Sequence, residues 1–157
     1  MTTFNDDIYS ELKELDFEQV KAFDAQVTDG EALPYYDSIQ VSRAAVFRNK
    51  LSGRVGNYFE SYDVDVTLQD KELMSNCSCG HSRKLCVHGI SLLYAWVNDG
   101  DDFVDVGNKL REIEKMTKDE LLKVVLNIVR INPNLIELFL MKNTEDWDEL
   151  DIDGPDK

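Results

Sequence analysis

Four residues have the types and spacing of a metal site, in the segment NCSCGHSRKLCVHG. Cys77 and Cys79 form a C-x-C pair, six residues follow, and Cys86 and His88 form a C-x-H pair. The chain has three cysteines, and all of them lie in this segment. Three thiolates and one imidazole are a common tetrahedral ligand set for structural zinc. The sequence therefore predicts one structural Zn²⁺ ion bound by Cys77, Cys79, Cys86 and His88.

Each ligand pair requires a particular backbone around it. Alternate residues of a β-strand point to the same face, so a strand through Cys77 and Cys79 aims both sulfurs at one metal. Residues two apart on an α-helix lie roughly 200° apart around its axis. Cys86 and His88 therefore cannot both lie within a helix, and we expect Cys86 to precede the first turn and His88 to lie inside it.

Other interpretations of the motif stay open at this level. The cysteines could be ordinary buried thiols beside a surface histidine, or ligands of an iron–sulfur cluster, although such clusters usually use four thiolates. His81 forms a second C-x-H pair with Cys79 and is an alternative ligand. Arg83 and Lys84 lie between the two half-sites. They either offset the net charge of about −1 of a three-thiolate zinc centre or contact a partner.

Helical patterns precede the motif, and strand patterns lead into it. Residues 3–15 have amphipathic helical spacing, and Asp16 with Gln19 forms a capping box for a second helix. From residue 39 to residue 75 the pattern changes to strands, with clean apolar–polar alternation in YDVDVTL at 62–68. Residues 71–78 predict a further strand that leads into the first cysteines. We expect an antiparallel meander of three or four strands.

Helices return after the motif. An apolar helix begins at its last ligands, and residues 105–115 predict a short one. Thr117 and Glu120 form a capping box for the next helix, and Asn132 and Pro133 fit the N-cap and first position of a last helix. We expect that last helix to bury five apolar residues, Leu135, Ile136, Leu138, Phe139 and Leu140.

These elements predict an α+β fold in which a small antiparallel sheet and a helix form a zinc finger, flanked by N-terminal and C-terminal helices. We divide the chain into an N-terminal helical segment (1–33), the sheet and finger (39–98), the C-terminal helices (104–142) and an acidic tail (143–157). The tail is expected to be disordered because it is highly charged and lacks an apolar period. Its Trp147 is either incidental or part of a segment that folds on a basic partner groove.

Charge is unevenly distributed along the chain, whose net charge is −14. Residues 1–39 contain ten acidic and two basic residues, whereas residues 40–99 contain six acidic and seven basic residues. Acidic ends repel nucleic acids. Six bases in the middle form a solvated surface or a contact site for nucleic acid or a partner, with Tyr58 or Phe59 available for stacking on bases. The six are Arg43, Arg48, Lys50, Arg54, Arg83 and Lys84.

Several general features bear on location. No apolar run approaches the roughly 18 residues that a membrane-spanning helix needs. The N-terminus is acidic where a signal peptide is basic. An odd number of cysteines argues against a disulfide framework. We therefore expect a soluble cytoplasmic protein.

The motif resembles the SWIM zinc finger, whose pattern is C-x-C followed by C-x-H. The resemblance covers about residues 60–98, including the strand YDVDVTL and the helix ISLLYAWV. It implies that a strand pair supplies the first two cysteines and a helix start supplies the second pair. Residues 117–141 are similar to the leucine-rich helical pair of small, stand-alone prokaryotic members from archaea or bacteria. Family members occur in transposases, chromatin-remodelling ATPases, ubiquitin-ligase-like proteins and recombination accessory factors, and are credited with DNA binding and protein contacts.

The sequence predicts a binding function and no catalysis. A zinc ion with four protein ligands has no open position for water or substrate, and no phosphate-cradling glycine loop is present. We predict a protein–protein adaptor within a nucleic-acid-associated complex, with no membrane and no small-molecule substrate. The alternative is a direct DNA- or RNA-binding protein that uses the six central bases.

Overall fold

The computed structural model describes residues 7–81 and 84–140 of the chain. These residues form seven α-helices and five β-strands, which confirms the predicted α+β class. The chain divides into two compact units, residues 1–111 and 112–157, and the four-segment division stays a prediction. Residues 1–6, Arg83 and the acidic tail with Trp147 lie outside the described residues. No helix in the described ranges combines the length and apolarity that crossing a membrane requires.

The first unit contains a five-stranded sheet in the order β4-β3-β2-β1-β5. Four strands form the predicted antiparallel meander, and β5 pairs in parallel with β1. The sheet is therefore mixed and not purely antiparallel as predicted. The sequence did not predict β5, because this strand has only two residues and shows no alternation. The strands are β1 Gln40–Phe47, β2 Lys50–Gly56, β3 Ser61–Gln69, β4 Glu72–Cys77 and β5 Val104–Asp105.

The alternation of β3 decides which face of the sheet is covered. Val64, Val66 and Leu68 are buried on the inner face, while Asp63 and Asp65 lie on the outer face. Helix α4, Val87–Asp99, packs on the inner face. Its buried residues include Ile90, Leu92 and Leu93, none of which is exposed. Each such side chain stabilises the fold by roughly 1.5–3 kcal/mol through burial.

Three helices precede the sheet: α1 Ser10–Lys13, α2 Phe17–Val27 and α3 Ala32–Tyr36. The predicted capping box of α2 is confirmed by reciprocal hydrogen bonds between Asp16 and Gln19. Helix α1 is shorter than predicted and begins at Ser10. The amide of Tyr9 donates to the carbonyl oxygen of Arg48 at 2.9 Å, so the chain before α1 pairs with the β1–β2 turn instead of continuing the helix.

A buried carboxylate joins these helices to α4. Asp24 on α2 is 1% exposed. It accepts hydrogen bonds from the amides of Ala32 and Leu33, both at 3.0 Å, and from the Tyr94 hydroxyl at 2.9 Å. The Thr28 hydroxyl donates to it as well. Because buried polar groups must be paired, this set of bonds fixes α3 relative to α2 and α4.

Helix α5, Val106–Ile113, precedes α6, Lys118–Ile131, and α7, Ile136–Leu140. The predicted capping box of Thr117 and Glu120 is confirmed. Asn132 caps a 3-10 turn, Pro133–Leu135, rather than the last helix itself.

The prediction that the last helix buries its apolar side chains is wrong for those that the structure describes. Ile136, Leu138 and Phe139 remain 40%, 45% and 49% exposed. No residue of α6, all of which is described, is buried either. A pair of short helices has too little area to enclose a core.

We predict that Asp24→Ala lowers the free energy of unfolding by at least about 3 kcal/mol, because buried donors lose their acceptor. The matched control is Tyr94→Phe, which removes one donor and leaves the carboxylate paired, at a cost of about 1–2 kcal/mol. Urea unfolding followed by circular dichroism measures both. A smaller loss for Asp24→Ala than for Tyr94→Phe would contradict the central role of Asp24.

Candidate metal centre

The structure brings the four predicted ligands together. One ligand atom from each of Cys77, Cys79, Cys86 and His88 lies within 4.8 Å of the others. Nδ1 of His88 is 3.6 Å from Sγ of Cys77 and 3.9 Å from Sγ of Cys86. Ligands held tetrahedrally at about 2.3 Å (sulfur) and about 2.0 Å (nitrogen) lie roughly 3.5–3.8 Å apart. The spacing therefore fits a zinc ion bound by three thiolates and Nδ1 of His88.

The first half-site is the end of β4 and the turn after it. Cys77 is the last residue of β4, so Cys79 lies in the turn and not on the strand as predicted. The turn brings its sulfur back because Gly80 adopts a φ of 73° and donates to the carbonyl oxygen of Cys77 at 3.2 Å. Ser78 continues the pairing to β3 through two 3.0 Å bonds with the backbone of Asp63.

The second half-site is the start of α4. Cys86 is the N-cap residue, with φ −102° and ψ 171°, and its Sγ accepts a hydrogen bond from the amide of Gly89 at 3.4 Å. His88 lies in the first turn of the helix. This is the arrangement expected from the spacing of two residues, since it places both ligand atoms on the same side of the helix start.

Ser75 on β4 joins the two half-sites. Its Oγ accepts from the amide of Cys86 at 3.2 Å and lies 3.8 Å from Sγ of Cys86. Its amide donates to the carbonyl oxygen of Lys84 at 2.7 Å. A Cβ on Gly89 would lie only 2.7 Å from Cβ of Ser75, so glycine permits this approach of α4 to β4.

The surroundings of the thiols differ in their electrostatic effect. Burial raises the pKa of Cys77 above its ordinary value. Burial also opposes ionisation of Cys86, but hydrogen bonds with His88, Gly89 and Ser75 outweigh it and lower the pKa of this thiol. Such donors are the second layer of contacts that stabilises and orients metal-bound thiolates.

Two tyrosines hold the histidine ring. The ring of Tyr62 on β3 lies against that of His88, with 4.1 Å between centroids. Tyr35 on α3 meets it edge-on at 5.3 Å. The sequence contains no signal for Tyr35, because it lies far from the motif along the chain. Tyr62 could be placed only as an inner-face residue of the alternating strand.

His81 does not belong to the ligand cluster. Its side chain is exposed and lines a small cavity of about 100 Å³ that Cys86 and His88 also line. The structure therefore favours His88 over the alternative histidine.

Two of the predicted contact bases lie on the outer face of the sheet among carboxylates. Arg43 and Arg54 line a groove of about 430 Å³ together with Asp63 and Asp65. Nε of Arg54 is 3.6 Å from Oδ1 of Asp63. The positive charge of this groove is therefore largely balanced.

The other bases lie elsewhere on the first unit. Arg48 in the β1–β2 turn packs over the ring of Phe47, with 5.2 Å to its centroid. Lys50 begins β2 and is partly exposed. Lys84 forms an ion pair with Glu72. Their role as contacts for nucleic acid or a partner stays a prediction.

Comparison with known proteins identifies this centre. Residues 62–96 match the family model of the SWIM zinc finger. This segment is a SWIM-type zinc finger. The SWIM finger contains all four ligands and begins at Tyr62, which contacts the ligand histidine. The resemblance found in the sequence is confirmed, and so is the prediction of one structural zinc ion.

A longer protein matches part of this chain. An uncharacterized protein of Methanocaldococcus jannaschii is 32% identical over 95 residues, which are 60% of this chain. The alignment spans only 39% of that relative's own length. No solved structure matches the chain.

We predict that Cys79→Ser and Cys86→Ser release zinc and destabilise the central sheet, whereas His81→Ala does neither. Structural zinc contributes apparent folding free energy on the order of 10 kcal/mol. Elemental analysis and thermal unfolding of the three variants measure both effects. Equal loss in His81→Ala would show that the wrong imidazole is assigned, and iron in the purified protein would contradict zinc.

We also predict that Gly89→Ala weakens zinc binding, although alanine is the better helix former. The added methyl group collides with Cβ of Ser75 and forces α4 away from β4. Overpacking of this kind costs about 1–3 kcal/mol. Competition with a chromophoric chelator measures the loss of zinc affinity. Unchanged affinity in Gly89→Ala would show that the two elements can separate without disturbing the ligands.

Proposed function

We propose that this protein is a non-enzymatic interaction module that acts as a protein–protein adaptor within a nucleic-acid-associated complex. The observation that carries this proposal is a pair of exposed aromatic side chains, Tyr58 and Phe59, at the tip of the β2–β3 hairpin. Tyr58 is 97% exposed and Phe59 is 90% exposed. We call these two residues the aromatic tip.

The aromatic tip is preorganised for binding. Oδ1 of Asn57 accepts from the amides of Phe59 and Glu60 at 2.9 and 3.0 Å, and the amide of Asn57 donates to the carbonyl oxygen of Glu60 at 2.7 Å. The two rings meet edge to face with centroids 5.5 Å apart. Aromatic side chains dominate the energy of protein interfaces, and a turn that is already ordered loses little entropy on binding.

The tip is attached to the zinc centre through a short stretch of β3. Gly56 before the tip has a φ of 158°, and a Cβ there would lie 2.2 Å from the carbonyl oxygen of Glu60. Tyr62, just after the tip, packs on the ring of His88. The zinc ion therefore serves the proposed function by keeping the hairpin in one orientation.

A non-catalytic role is supported by the ligand set. Four protein ligands complete a tetrahedral zinc site and leave no position for water or substrate. Three thiolates also suit a reducing compartment, and we therefore propose a cytoplasmic location.

Direct nucleic-acid binding is the second candidate, because exposed aromatic rings also stack on bases. Tyr58 and Arg54 line a common groove of about 490 Å³. The carboxylates beside the bases and the net charge of −14 oppose this function. We therefore rank it below protein binding.

The proposal is tested by capture of partners from a nuclease-treated and an untreated extract of the source cells. We compare the native chain with Tyr58→Ser/Phe59→Ser. Ile131→Ser is the matched control, because Ile131 is an 87% exposed apolar residue in the second unit. We expect a protein partner that resists nuclease, is retained by the control and is lost with the aromatic tip.

Two outcomes would contradict the adaptor function. Loss of the partner on nuclease treatment, with submicromolar DNA or RNA affinity that Arg54→Glu removes, would favour direct nucleic-acid binding. Loss of the partner in Ile131→Ser alone would show that the partner binds the second unit and not the aromatic tip.

A further inference from the structure

The outer edge of β1 is only partly covered. Strand β5 pairs with Ala45 and Val46 alone. Gln40–Ser42 pair with β2 on one side, and within the described ranges no strand pairs with them on the other. Backbone amide and carbonyl groups along such an edge are available to an added strand.

The chain before β5 leaves this edge open. The residues Gly100–Asp102 form a 3-10 turn and do not run along β1. The register of β1 shifts between Ser42 and Ala45, where Arg43 has a φ of 53°. This bulge separates the covered part of the edge from the open part.

A groove of about 330 Å³, lined by apolar and acidic side chains, lies beside the open edge. Its apolar lining comes from β1 and the residue before it, from α3, from α4 and from the residue before β5. The lining residues are Tyr36, Ile39, Val41, Ala44, Ala95 and Phe103. Every second side chain of an added strand would face such a groove.

The other residues that line the groove are acidic. They are Asp37, Asp99 and Asp102, and all three are exposed. The Tyr36 hydroxyl donates to Asp99 at 3.1 Å, which holds this carboxylate in place. No basic residue is among the described residues that line the groove.

We propose that this edge and groove bind an extended, basic segment of a partner protein by strand addition. The segment pairs with Gln40–Ser42, inserts small apolar side chains into the groove and places lysine or arginine against the three carboxylates. The inference rests on the proposed function as a protein-binding module and names a second surface and the chemistry of its partner. Charge complementarity decides the occupant, because the same carboxylates repel nucleic acid and a second copy of this acidic chain.

The test uses the full zinc-loaded chain and a fluorescein-labelled seven-residue peptide that alternates lysine and valine. Anisotropy titration measures Kd. We expect Asp37→Lys/Asp102→Lys to raise Kd at least tenfold. The control Glu14→Lys/Glu18→Lys makes the same change in net charge at two exposed sites, one just after α1 and one in α2, and should change Kd less than twofold. A peptide methylated on alternate backbone nitrogens keeps its charge but loses the hydrogen-bond donors along one of its edges, and we expect it to bind at least tenfold more weakly.

A second measurement does not depend on variants. With the native chain, amide chemical-shift changes on peptide addition should concentrate at residues 40–44 and at Phe103. No binding, equal weakening by the control pair, equal affinity of the methylated peptide, or shifts confined to other surfaces would each overturn the proposal.

The two proposals can fail separately. Tyr58→Ser/Phe59→Ser should leave the peptide affinity unchanged, because the aromatic tip does not line this groove. If the peptide fails to bind while the aromatic tip still captures its partner, only the strand-addition proposal falls. If the peptide binds as expected but no nuclease-resistant partner is captured through the tip, only the role of the tip falls.

Discussion

The structure depends on one constraint, which is that β4 and α4 must come close enough to share a tetrahedral metal. Two ligands come from the end of β4 and its turn, and two come from the start of α4. Ser75 and Gly89 meet at the contact and leave no room for a larger residue at position 89. Since zinc holds its ligands at fixed distances, this contact also sets the orientation of α4 on the sheet.

The rest of the first unit extends this constraint outward. Helix α4 buries a continuous run of side chains between β2 and β3 on one side and α2 and α3 on the other. Tyr94 on the same helix donates to Asp24, and Asp24 also accepts from the first amides of α3. Helix α3 in turn places Tyr35 against the ligand histidine. The N-terminal helices and the zinc finger are therefore coupled through hydrogen bonds and ring contacts, so the finger is the centre of a larger unit.

The two surfaces that we propose for binding follow from this rigidity. The aromatic tip connects β2 to β3, and the open edge belongs to β1 of the same sheet. A fixed sheet presents both without the entropy cost of ordering a loop. The acidic character of the chain adds selectivity, because carboxylates beside a groove favour basic partners and discourage polyanions.

The sequence by itself determined the features that depend on neighbouring residues. Local spacing was enough to predict four features. They are the zinc ligand set, the capping boxes at Asp16 and Thr117, the alternation of β3 and the position of Cys86 before the first turn of α4. Only the tertiary structure decided four other features. They are strand β5, the hydrogen-bond partners of Asp24, the contact of Tyr35 with His88 and the carboxylates beside Arg54. Each of these joins residues distant along the chain, and residue type does not specify which distant group will fill a given contact. The exposure of Phe139 and Leu138 has the same origin, since an apolar helical pattern predicts a buried face but not whether another layer is present to cover it.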